Sequence, residues 1–136
     1  MNQSVRKSNS ISRYIYFGLT IIFFTCLILQ VLFVGLALFD SSVHWLKHIT
    51  LVHLFGFNIP VFMLLFAFLG RMPRWSYWYI LGLLGLVFAM YFTANMTISW
   101  IGSLHPVIAI LLIEISFMNV VRTWKWLKRV KQKGEK

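Results

Sequence analysis

"LHPVIAILLIEISFMNVV", Leu104–Val121, holds one histidine and one glutamate in a run otherwise apolar enough to dissolve in lipid. As a helix rising about 1.5 Å per residue it reaches about 27 Å, close to the roughly 30 Å hydrocarbon layer of a bilayer. Three other stretches have the same character: Tyr14–Phe39, Leu46–Leu69 and Tyr77–Thr97. The whole chain is 60% hydrophobic, 18% aromatic and only 12% charged, a balance that no water-soluble domain of this size sustains. Short links between the runs require neighbouring helices to run antiparallel. The sequence therefore predicts an all-α fold, an antiparallel four-helix transmembrane bundle forming one domain over residues 1–136.

Orientation follows from the basic residues. Arg6, Lys7 and Arg13 precede the first run, Arg71 and Arg74 separate the second from the third, and seven Lys or Arg follow Val121. Lys47 alone falls on the other side. That asymmetry places both termini, including the basic tails 1–13 and 122–136, in the cytoplasm. The first apolar run is too long for a cleaved signal peptide and lacks a small-residue cleavage site, so it reads as a signal anchor. Trp75, Tyr77, Trp78, Trp124 and Trp126 mark the inner ends of spans, and Trp45 and Trp100 the outer ends. The net charge of +10 is thus chiefly topology. "WKWLKRVKQKGEK", Trp124–Lys136, reads as an anchor on anionic lipid rather than a nucleic-acid patch.

Soluble-enzyme chemistry has little support. The chain contains no Gly-rich phosphate loop, HExxH, CxxC or nucleophile elbow, and no catalytic set is assigned. Its single cysteine, Cys26, lies within the first span and reads as packing. What remains is a few polar residues within or at the edge of lipid, where burial is costly and function is the default expectation. Gln30 is 17 residues from Arg13, His53 is 18 from Arg71, Tyr91 is 17 from Arg74, and His105 is 17 from Arg122. Each of the four lies about 26 Å from its inner anchor, in one layer of the outer leaflet. His53 and His105 are the expected ligand pair, with Gln30 and Tyr91 orienting them. The plainer alternative is interhelical hydrogen bonding worth about 0.6 kcal/mol per contact.

Local sequence bears on this layer. Pro106 fixes the start of the fourth helix at His105. Pro60 frees the carbonyl of Gly56, so the second span should kink just inward of His53, with Asn58 repairing part of the loss. Asp40, His44 and His48 form a possible divalent-metal clip outside the membrane, or else solvated loop histidines. Glu114 is nine residues past His105 and faces elsewhere; a neutral carboxyl, or one bonded to Thr20 or Thr25, is expected, with proton-coupled transport as its functional reading.

"LQVLFVGLALF" (Leu29–Phe39), "HLFGF" (His53–Phe57) and "LHPV" (Leu104–Val107), with the basic turn "GRMPR" (Gly70–Arg74), resemble a family of small four-helix bacterial integral membrane proteins of unknown function. The resemblance covers nearly the whole chain. It implies the four-span fold, a bacterial cytoplasmic membrane, and recurrence of Gln30, His53 and His105; Glu114 and the His44–His48 pair fall outside its motifs. A looser similarity is to four-helix cytochromes of the b type, which grip haem between histidines on antiparallel helices. Such proteins commonly carry two histidine pairs, whereas this chain offers one, which implies at most one haem b. Four-helix multidrug exporters place their membrane glutamate in the first helix, whereas here it is in the fourth. A non-catalytic accessory subunit of a larger membrane complex, or a homo-oligomer, is the remaining expectation.

Overall fold

The computed structural model describes residues 3–96 and 99–134; Thr97 and the extreme ends of the two tails lie outside the described residues. The elements are α1 (Gln3–Phe39), α2 (His44–Phe55), α3 (Asn58–Leu69), α4 (Arg74–Asn95), α5 (Ser99–Gly102) and α6 (His105–Gly134). No strand occurs among the described residues. Four helical units are long and apolar enough to cross a membrane: Asn9–Phe39, His44–Leu69, Arg74–Asn95 and Trp100–Gln132. The second joins α2 to α3, and the fourth joins α5 to α6.

Helices α1, α3, α4 and α6 each contribute a buried stripe at alternating spacings of three and four. Tyr16, Thr20, Phe23, Leu27 and Gln30 line α1, Pro60, Met63 and Ala67 line α3, Ser76, Ile80, Leu83 and Val87 line α4, and Leu112, Ser116, Asn119 and Thr123 line α6. This spacing keeps one seam facing a neighbour, as in coiled-coil packing. The stripes include hydroxyls and amides, which suits helices that associate by close contact and hydrogen bonds rather than by the hydrophobic effect. Apolar side chains also cover the outside: Phe39 is 91% exposed, Phe68 73% and Trp78 71%. Such a surface is stable when lipid covers it.

Contacts fix the helix directions. The Arg13 guanidinium donates through Nε to the Gly70 carbonyl at 2.8 Å, while Gln30 Nε2 donates to the His48 carbonyl at 3.1 Å, so α1 runs opposite to α2 and α3. Phe17 stacks on Trp124 and Phe24 meets Phe117, which sets α6 opposite to α1. Arg122 lies over the Trp75 ring and His105 meets Thr93, which sets α4 opposite to α6. The bundle is antiparallel, and Arg13 over the Trp126 ring brings the two terminal segments to one end. We call the opposite end distal.

The expected break in the second span occurs at Gly56–Phe57, between α2 and α3. Tyr91 of α4 fills it: its hydroxyl donates to the Val52 carbonyl at 3.2 Å and its ring stacks on Phe57 at 5.3 Å. Asn58 donates to the Leu54 carbonyl at 2.7 Å, not to Gly56, so its repair falls two residues before the position the sequence suggested. The α3–α4 turn closes with Met72 N–H on the Ala67 carbonyl and Arg71 at a φ of 49°, a left-handed position that glycine occupies more cheaply. The basic tail after Val121 is helical, because α6 continues to Gly134.

Candidate functional site

Helix α6 begins at His105, as Pro106 requires. This start points the imidazole at α4, where Nδ1 meets Thr93 Oγ1 at 3.2 Å. The Thr93 hydroxyl has one proton, shared between the Ala89 carbonyl at 2.9 Å and the Met90 carbonyl at 3.1 Å. Its oxygen therefore accepts from His105 Nδ1–H. The Met90 carbonyl is a further acceptor at the same ring; with the proton on Nδ1, Nε2 would be the base, the arrangement that orients an imidazole for a metal.

His48 has the same arrangement. Its Nδ1 lies 3.4 Å from the Gln30 carbonyl, which can only accept, and its own carbonyl accepts from the Gln30 amide at 3.1 Å. Helices α1 and α2 are thereby tied together twice, and His48 Nε2 is the free nitrogen. Gln30 is 7% exposed and its Oε1 is buried with no hydrogen-bond partner. His48 lies within electrostatic range of the His105 ring. The distal end thus gathers two imidazoles with anchored Nδ1 atoms and one unpartnered amide oxygen.

His53 has its Nδ1 held in the same way, by the Tyr91 hydroxyl whose proton goes to the Val52 carbonyl, but it is placed differently. It is exposed, and its Nδ1 lies 3.2 Å from the Tyr91 hydroxyl, so Tyr91 does contact it as expected. Tyr91 and Thr93 are two residues apart on α4, about 200° around the helix. His53 and His105 accordingly stand in the two grooves flanking α4. Gln30 meets His48 rather than either of them. A shallow open groove lined by Phe33, Leu46, Lys47, Thr50, Leu51 and Leu54 lies between α1 and α2. None of these histidines lines it.

The Asp40–His44–His48 clip does not form. His44 Nε2 pairs with Asp40 at 3.0 Å, but His48 turns inward to Gln30, and no cluster of three His, Cys, Asp or Glu among the described residues is placed to hold a metal ion. Glu114 is exposed on the outside of α6. Thr20 donates to the Phe17 carbonyl of its own helix at 2.7 Å, and Thr25 is itself exposed, so the expected bond between Glu114 and a buried hydroxyl is absent. A carboxyl on the outer surface does not line a path between the helices.

Sequence reasoning missed a second polar set near the termini. Tyr16, Asn119 and Thr123 are each fully buried, with Tyr16 donating to Asn119 Oδ1 at 3.2 Å and Thr123 donating to the same oxygen at 3.4 Å. Asn119 Nδ2 is buried and unpartnered. Asn119 falls seven residues after Leu112 on the buried stripe of α6, a spacing the sequence carries. Thr93 was also missed, although it lies two residues from Tyr91 in the same span.

The profile of a family of unknown function (DUF6220) matches residues 30–98, and the chain belongs to that family. The match begins at Gln30 and includes His48, His53, Tyr91 and Thr93, but stops short of His105. No curated protein and no solved structure matches the chain.

Proposed function

We propose that this member of the family is a multi-pass protein of the bacterial cytoplasmic membrane that binds one b-type haem at its distal end, for electron transfer or haem handling. The observation that carries the reading is the anchoring of Nδ1 on His105 by Thr93 and on His48 by Gln30, which leaves two Nε2 lone pairs at one end of the bundle. Neutral imidazoles held this way are good axial ligands, and their Nδ1 partners tune the iron. Bound haem would supply one-electron chemistry; the chain would supply ligands, a low dielectric and the orientation of each ring.

His105 would be one of the two residues that hold the group. His48, whose Nδ1 is held by the buried Gln30 backbone and whose charge is felt at the His105 ring, is the better second ligand than the exposed His53. Both termini face the cytoplasm, supported by the clustering of basic residues at their end of the bundle; a reporter after Lys136 active only outside the membrane would refute that orientation. The test of the site is an absorption titration of purified protein with haem. A low-spin Soret band is expected in the wild type and in His53→Ala, and its loss in both His105→Ala and His48→Ala. A band indifferent to His105→Ala would refute the site. Loss in His53→Ala with retention in His48→Ala would restore the His53–His105 pair.

A further inference from the structure

Glu114 is the one acidic side chain within the apolar part of the four spans, and it faces outward. Around it Val107, Leu111 and Met118 are 54%, 44% and 49% exposed. Together they fall at 107, 111, 114 and 118, with Val121 next, so the intervals alternate between four and three. That is the spacing of a left-handed helix–helix seam, distinct from the buried stripe at Leu112, Ser116, Asn119 and Thr123 that faces α1 and α4. Helix α6 therefore has two seams, only one of them occupied within the chain.

We infer that the second seam is the interface of a symmetric dimer, formed with α6 of a second copy and centred on Glu114. Three arguments select this occupant. A carboxyl in hydrocarbon is stable when neutral and hydrogen-bonded. A neutral carboxyl is both donor and acceptor, hence complementary to itself. Copies inserted with the same topology are related by a two-fold axis along the membrane normal, which brings equal depths together, and Glu114 can then meet only Glu114 at its own level. Reciprocal bonds between the two carboxyls satisfy both, and one polar residue in an apolar seam fixes its register. The inference does not depend on haem binding.

The test is disulfide crosslinking of the full chain in lipid vesicles, with Cys26→Ser as background. Met118→Cys and Leu111→Cys should crosslink, while Phe62→Cys on α3 and Phe88→Cys on α4, 52% and 65% exposed, should not. Glu114→Leu should weaken the dimer about tenfold, the equivalent of a membrane hydrogen bond of 1–2 kcal/mol. Glu114→Gln should remain close to wild type, because an amide is also self-complementary. Equal crosslinking at all four sites, none at Met118, or a Glu114→Leu dimer as tight as wild type would each overturn the inference. So would a wild-type chain that stays monomeric, or one whose α6 seam crosslinks to a different protein.

Discussion

Thr93 decides which nitrogen His105 presents. Its hydroxyl proton is committed to the carbonyls of its own helix, so the oxygen accepts from Nδ1–H. Thr93→Val keeps the side-chain shape and removes the acceptor, leaving the ring free to rotate or change tautomer. Haem affinity should fall by about tenfold or more, the usual loss when the orienting partner of a ligand is removed. Thr93→Ser should restore it, since serine retains the hydroxyl. Equal loss in both variants would show that Thr93 acts through packing alone. Asn119 illustrates the other role of buried polar groups, since it accepts from two hydroxyls and joins α1 to α6 with no site beside it.

Among the elements, the break between α2 and α3 does most to shape the distal end. A Cβ at Gly56 would come within 2.7 Å of the Val52 carbonyl, the same oxygen that receives the Tyr91 hydroxyl. Gly56→Ala must therefore move backbone, and should cost about 1–3 kcal/mol in a melting or denaturant experiment. Gly85→Ala meets nothing within 4 Å and should be neutral or slightly stabilising by comparison. A Gly56→Ala protein as stable as Gly85→Ala would mean that the break is not held by this contact. The break was legible in the sequence, because Gly56 and Pro60 act through the backbone of their own segment. Its filling by Tyr91 was not, because that contact joins residues 39 positions apart.

At the scale of the molecule, what could be counted along a helix was read correctly and what depended on azimuth was not. Apolar length gave the four spans, Pro106 gave the start of α6, and depth placed Gln30, Tyr91 and the histidines toward one end. The direction in which a side chain faces depends on which neighbour the helix packs against. His48, read as an exterior residue, turns inward to Gln30; His53, read as facing His105, meets Tyr91; Glu114, read as neutral or bonded to Thr20 or Thr25, faces outward without that bond. A chain with so few polar groups in its spans concentrates them at the distal end, near the terminal segments and on one outer seam, and each location carries a different expectation. The claim on which the functional account rests is that two anchored imidazoles ligate one iron, and electron paramagnetic resonance of the ferric, haem-reconstituted protein tests it most directly. The account predicts a low-spin spectrum that becomes high-spin in His105→Ala and in His48→Ala; a high-spin spectrum in the wild type would contradict it.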